Sequence, residues 1–369
     1  MSPLRVAVIG VGHLGRIHAR LAAGQDQLDL VAVVDPVKEV RERVAEETHT
    51  QAVADYRELV GEIEAAIVAT PTVTHAAIGR ELLESGIPLL IEKPLAPTSQ
   101  EASELVTLAH RQGLVLQVGH VERFNSALSC VAAELRDPKY INARRTSSYT
   151  FRSTDVGVVL DMMIHDLDVV LSLARSEVVD VQALGISVLG GHEDMATARL
   201  TFASGCVADV TASRVCPEQL RVTNVLTSRV SASINFATHQ TTVIRPRQDV
   251  LRRDFRVDRL SADQREHFKA HQFDDLLVRT QYDMPPGNAI EEEQRDFEAA
   301  VRSGRSPRVD GAAGRDAVAL AEAILAKIDE HAWDGTDAGR RGPLAMPALP
   351  IIAGTTIIDD MPIERRRAG

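Results

Sequence analysis

Along the first third of the chain, short apolar runs alternate with stretches of helical periodicity. Residues 6–9, 28–34, 64–69, 88–91 and 114–118 are apolar over consecutive positions, the pattern of strands buried on both faces. Between them the spacing predicts a helix over about 74–85, closed by Gly86, and another over about 99–111, closed by Gly113. Strands that alternate with helices predict a parallel sheet, so this part of the chain reads as an α/β, doubly wound unit.

The pattern then changes. A helix is predicted over about 122–135, a polar-rich strand over 141–150 and an amphipathic helix over about 158–173. From about 178 to 243 the runs are strand-like and rich in Val, Thr and Ser; 196–202 and 206–211 flank Gly205 as a hairpin would. These strands predict a second, α+β domain on a largely antiparallel open sheet. Two helices follow, over 290–301 and 315–328, the latter with Ala317, Leu320, Ile324 and Ile328 at helical spacing. Beyond about 332 Gly and Pro accumulate, although 349–358 is apolar and is expected to dock as an extended strand on the chain itself or on a neighbouring subunit. The expected organisation is a dinucleotide-binding domain over 1–122, a substrate-binding and oligomerisation domain over 123–330, and a Gly/Pro-rich extension over 331–369.

Composition narrows the classes of function. The 369 residues are 44% apolar and 25% charged, as in ordinary globular proteins. A net charge of −11 argues against nucleic acid, which is bound by neutralising phosphates with Lys and Arg. No run approaches the ~20 apolar residues of a membrane span, and the chain enters a strand at once, so no membrane and a cytoplasmic location are expected. Cys130, Cys206 and Cys216 form no CxxC and no Cys/His cluster, so no metal is expected and the thiols read as buried in a reducing compartment.

Chemistry is concentrated in a few places. Gly10-Val11-Gly12-His13-Leu14-Gly15 follows the first strand, where glycines let a strand turn into a helix whose N-terminal N–H groups hold a pyrophosphate. Such turns also occur without a ligand. Here, however, the second strand ends in Asp35, about twenty residues after Gly15, placed to accept hydrogen bonds from a ribose. That carboxylate repels a 2′-phosphate and favours NAD, while Lys38 and Arg41 nearby leave NADP open.

Glu92-Lys93-Pro94 closes a later strand at the sheet edge where such folds bind ligands. Lys93 there is a candidate proton-transfer group; a surface Glu-Lys in a proline turn is the alternative. Asp161, His165 and Asp168 stand at i, i+4 and i+7, which on a helix puts an imidazole between two carboxylates that stabilise its cation and suit a general base. A merely charged helix face is the alternative. Thr70-Pro71 and His75 follow a strand end and are candidate cofactor contacts, or Thr74 simply caps a helix. Arg123 and Asn125 lie where one domain hands over to the next and are candidates to grip an anionic or polyhydroxyl ligand.

Taken in order and spacing, Gly10 to Gly15, Thr70-Pro71, Glu92-Lys93-Pro94, Asp161-x-x-x-His165-x-x-Asp168 and the late segments 291–297 and 314–317 resemble the Gfo/Idh/MocA oxidoreductase family over about residues 3–330. The resemblance implies an N-terminal Rossmann domain and a C-terminal domain whose open sheet mediates homo-oligomers. It also implies NAD(P)-linked hydride transfer at a sugar or cyclitol carbon. Position by position, Lys93 would contact nicotinamide and substrate, His165 would be the acid/base, Asp161 would contact substrate or orient the catalytic groups, and Glu92 would contact the nicotinamide ribose. Met163 departs from the glycine of many relatives and is expected to narrow the pocket. Residues 118–125 together with 155–166 are similar to a branch containing UDP-N-acetylglucosamine 3-dehydrogenases. The expected activity is therefore oxidation of a secondary alcohol on a sugar, which the narrower resemblance implies to be nucleotide-linked. A redox-neutral NAD-dependent glycosidase and a non-catalytic NAD-sensing regulator are the alternatives on the same fold.

Overall fold

A computed structural model describes residues 2–151, 156–285, 287–333, 336 and 339–345. Its first sheet consists of β1 (Leu4–Ile9), β2 (Leu28–Val34), β3 (Gln51–Val53), β4 (Ala65–Val68), β5 (Leu89–Glu92) and β6 (Leu116–Gly119). All pair in parallel, in the order β3-β2-β1-β4-β5-β6. The order reverses between β1 and β4, so the crevice at their C-terminal ends is the fold's natural ligand site. Alternate side chains fill two cores: Val6, Val8 and Ile67 on one face, Ala7, Ile9, Val68 and Ile91 on the other. Helices α1 (His13–Ala23), α2 (Lys38–Thr48), α3 (Thr72–Glu84) and α4 (Ser99–Gln112) cover these faces. The start of α4 is capped by the Thr98 side chain, and its end by Gly113 at φ +66.

The chain crosses to a second sheet through α5 (Ser126–Ser129). That sheet comprises β7 (Pro138–Thr146), β8 (Val178–Ile186), β9 (Met195–Phe202), β10 (Val207–Ser213), β11 (Leu220–Thr227), β12 (Ser231–Asn235), β13 (Gln240–Pro246) and β14 (Leu277–Asp283). Its order is β14-β13-β12-β11-β7-β10-β9-β8, antiparallel except where β7 meets β10. Gly205, at φ +81, turns the β9–β10 hairpin as expected. Helix α6 (Ile164–Ala174) lies on one face, with Leu167 and Val170 packed on Ile141 and Ala143. Beyond β13 come α7 (Gln248–Leu251) and α8 (Ala262–Asp275), in a stretch the sequence pattern did not resolve.

The two closing helices join the sheets. Helix α9 (Ala289–Ser303) packs on α1, placing Phe297 in the first core, and α10 (Gly311–Glu330) lies between α4 and α6. Two expected helices are corrected. The one over 122–135 is broken, because Asn125 adopts an extended backbone and its side chain accepts the Ala127 N–H, restarting the chain as the short α5. The one over 158–173 opens with a π-helical turn, Val159–Met163, before α6 begins. Glu193 seeds that wide turn by accepting the Val159 N–H at 3.1 Å. The expected strand over 141–150 lies earlier, as β7. The apolar segment 349–358 falls outside the described residues. Among the described residues no helix is long and apolar enough to cross a membrane.

Candidate active site

The glycine turn is shaped by contacts on two sides. Gly10 sits at φ +80, and a Cβ on Gly15 would lie 1.8 Å from the Gly10 carbonyl oxygen, so only glycine lets α1 start this close to β1. A Cβ on Gly12 would meet no protein atom within 4 Å, which leaves that backbone open to a ligand. His13 is exposed and Leu14 half-buried at the first turn of α1. At the end of β2, Asp35 accepts the Val11 N–H at 3.1 Å and the Val37 N–H at 2.9 Å. Beside it opens a cavity of about 760 Å³, lined by Gly10, Gly12, Asp35, Tyr56 and Thr70 among others. The open glycine and the strand-end carboxylate fit the adenosine and pyrophosphate of a dinucleotide. Arg41 donates to the Asp35 and Pro36 carbonyls and Lys38 approaches Glu42, so neither basic group is committed to a 2′-phosphate.

A second cavity, of about 470 Å³, shares Thr70 and Pro71 with the first and contains Lys93, Leu160 and Asp161. Lys93 leaves the end of β5, its bond to Pro94 is cis, and its Nζ donates to the Asp161 carbonyl at 2.8 Å. Burial holds the Lys93 ammonium below the usual lysine range, with Asp161 and Glu92 opposing. Glu92 is buried. Burial pushes its carboxyl up, but the His18 contact at 2.7 Å and the Lys93 charge hold it below the usual carboxylate range. His75 is also buried and faces the Thr70 and Pro94 carbonyls at 2.8 Å each, tying together the loops that line the two cavities rather than entering either.

His165 occupies the first turn of α6, with a buried, unpartnered Nδ1. Its surroundings correct the expectation of a stabilised cation. Burial, then Lys93, Arg145, His120 and Arg221, push the imidazole well below its ordinary value, so it is neutral. In the π-helical turn the Asp161 carbonyl accepts from Lys93, while Asp168 pairs with Arg123 at 3.2 Å. Beside His165, Arg145 is held by Asp166 at 2.8 Å and Glu122 at 2.9 Å, which fixes α6 on β7. Met163 is wholly buried in the core between α6 and the eight-stranded sheet and is not among the residues lining that cavity.

The structure thus gathers Lys93, Asp161 and His165 but not Arg123 and Asn125. Arg123 lines a separate cavity of about 410 Å³ with Arg136, Arg175 and Arg308. Asn125 is buried, and its amide donates to the Phe236 carbonyl at 3.1 Å. Sequence reasoning missed His18, Glu293 and Gln294, which surround Glu92 from α1 and α9. A nitrogen of His18 and oxygens of Glu92 and Glu293 lie within 4.8 Å of one another, a spacing that could hold a metal ion. The hydrogen bonds oppose this: Gln294 donates to His18 Nδ1 at 3.0 Å, so Nε2 carries the proton and has no lone pair to offer. Both Glu293 oxygens are buried without partners; burial first, then Glu92, Asp296 and Asp168, raise its carboxyl well above the ordinary range.

Residues 4–120 match the GFO/IDH/MocA oxidoreductase family's NAD-binding Rossmann fold, and 125–233 match the GFO/IDH/MocA C-terminal domain. The chain belongs to the GFO/IDH/MocA oxidoreductase family. Its first domain is an NAD-binding Rossmann domain, and it shares this fold with solved relatives. UDP-N-acetylglucosamine 3-dehydrogenase of Acidithiobacillus ferrooxidans is 38% identical over 237 residues, 64% of this chain and 75% of that protein. A solved structure of that organism's UDP-N-acetylglucosamine 3-dehydrogenase GnnA superposes with a TM-score of 0.77 at 32% identity, covering 89% of this chain and 98% of the other. The scyllo-inositol 2-dehydrogenase (NAD(+)) of Bacillus subtilis is 30% identical over 233 residues, 58% of this chain and 68% of that protein.

Proposed function

We propose that this GFO/IDH/MocA dehydrogenase oxidises a secondary alcohol of a nucleotide-linked sugar, of the kind named for its 38%-identical relative, UDP-N-acetylglucosamine. The observation that carries this reading is the position of Lys93 and Asp161, in a cavity that shares Thr70 and Pro71 with the dinucleotide groove, near a neutral His165. NAD supplies the hydride acceptor when bound. Gly10, Gly12, His13, Leu14 and Gly15 would hold its pyrophosphate, Asp35 its adenosine ribose, and Thr70, Pro71, Glu92 and Lys93 its nicotinamide half, with His75 keeping that loop in place.

On the substrate side, Lys93 hydrogen-bonds the reacting hydroxyl and Asp161 orients the sugar. His165 accepts the hydroxyl proton at Nε2, since Nδ1 is buried. A neutral imidazole and an ammonium with lowered proton affinity are the forms this proton transfer needs. Association of copies through the eight-stranded sheet belongs to the same reading, with Val179, Leu226 and Val278 exposed on its strands; a monomer in light scattering would remove it.

The test is NADH formation, followed by absorbance, with NAD and a panel of UDP-sugars, free sugars and inositols. NADH is expected with UDP-N-acetylglucosamine. Protein that binds NAD but forms no NADH across the panel would overturn the reading in favour of a redox-neutral enzyme or a regulator.

A further inference from the structure

Three permanent or near-permanent cations act electrostatically on His165: Lys93, Arg145 and Arg221. Two of them are answered by carboxylates. Arg145 is bonded to Asp166 and Glu122, and Lys93 has Asp161 and Glu92 beside it. Arg221 differs. It is exposed, and among the described residues no acceptor pairs with its guanidinium. Of the three, Arg221 is thus the one whose guanidinium has no carboxylate bonded to it among the described residues.

The sheet register explains why Arg221 is there. Strand β11 runs antiparallel to β7 with Arg221 directly opposite Arg145 and Leu220 opposite Thr146. Opposed residues point to the same face, so Arg221 shares with Arg145 the face that carries α6. It also stands at the end of the sheet where β7 finishes. There Ser147 Oγ lies 3.8 Å from Met162 Sδ, joining that edge to the turn that presents Asp161. A neighbouring β-strand, rather than any segment close in sequence, thus sets the Arg221 guanidinium opposite Arg145 and within electrostatic reach of His165.

We infer that Arg221 is the anion-binding residue of the substrate subsite and takes a phosphate oxygen of the sugar's nucleoside diphosphate. The inference rests on the proposed reading of the substrate as nucleotide-linked. A guanidinium offers paired N–H donors matched to phosphate, and such charge-assisted bonds are about twice as strong as neutral ones. A neutral cyclitol would offer that guanidinium no charged partner. A phosphate there also answers one of the charges that suppress the basicity of His165, so the substrate's anionic part readies the base for its neutral part.

The experiment measures UDP binding to the NAD-loaded protein by titration calorimetry for wild type, R221Q and R221K, with NAD affinity and thermal stability as controls. UDP binding is expected to weaken at least about tenfold in R221Q, recover in part in R221K, and leave NAD affinity unchanged. Equal UDP affinity in wild type and R221Q, or no UDP binding to wild type, overturns the inference. Turnover is read separately: Arg221-dependent UDP binding without oxidation of any UDP-sugar would sink the proposed function and leave the anion subsite standing. Oxidation of UDP-N-acetylglucosamine with a KM that R221Q does not change would do the reverse.

Discussion

Lys93 Nζ donates to the main-chain carbonyl of Asp161 at 2.8 Å, so an ammonium from the parallel sheet is held by the turn that launches the His165 helix from the other sheet. This single bond crosses from one half of the molecule to the other. It places the proton-handling groups of both halves around one cavity.

Lys93→Met removes that bond and the cation together. Turnover should fall by about a hundredfold or more, the usual contribution of a proton-transfer group. NAD binding, measured by fluorescence titration, should be largely kept because the glycine turn and Asp35 are untouched. Unchanged turnover would remove Lys93 from the chemistry.

Acid should affect activity late and stability early. His165 works as a base only when neutral, and its proton affinity is suppressed, so the acid limb of kcat/KM should lie below the usual histidine value of 6.5. His75 and His120 are also lowered by burial. The unfolded chain therefore binds protons that the folded chain refuses, and stability should fall as pH drops below about 6.5. A pH–rate profile and a thermal melt series separate the two effects.

Glu293 has the opposite sign. Its folded carboxyl keeps a proton that the unfolded chain releases above about 4.5, so its contribution to stability is lost as pH rises from there toward the folded value. Glu293→Gln carries no such dependence. The variant should gain Tm relative to wild type from mildly acidic to mildly alkaline buffer; a constant difference would mean that Glu293 is ionised in the fold.

Two glycines of one motif should fail differently. Gly15→Ala drives a methyl into the Gly10 carbonyl and should cost about 1–3 kcal/mol or more in thermal or urea unfolding. Gly12→Ala meets no protein atom and should keep Tm while weakening NAD binding. Loss of Tm in both would mean that the motif serves only to pack α1.

Asp35→Ser should erode the preference for NAD over NADP, read as the ratio of kcat/KM values, because the charge that repels a 2′-phosphate is gone and Arg41 is near. A wild-type enzyme that already prefers NADP would reverse this assignment.

Local pattern was enough to place β1, β2, β4, β5 and β6, α3 and α4, the β9–β10 hairpin, the glycine turn and the Glu92-Lys93-Pro94 strand end. Each of these is specified by consecutive residues whose periodicity or backbone freedom admits few conformations. What the sequence could not state is which side chains face one another across long separations. His18 meets Glu92 across 74 residues and Gln294 across 276. Glu193, from a distant loop, accepts the Val159 N–H at the start of the π-helical turn ahead of α6. Asn125 broke a helix that periodicity alone would have continued. The protonation of His165 shows the limit best: spacing along one helix suggested two carboxylate neighbours, whereas folding surrounded it with Lys93, Arg145 and Arg221 from three different strands or strand ends. Burial and charge belong to the packed neighbourhood, so they were settled by the tertiary structure, while β1, β2, β4, β5, β6, α3, α4 and the glycine turn were settled by consecutive residues of the chain itself.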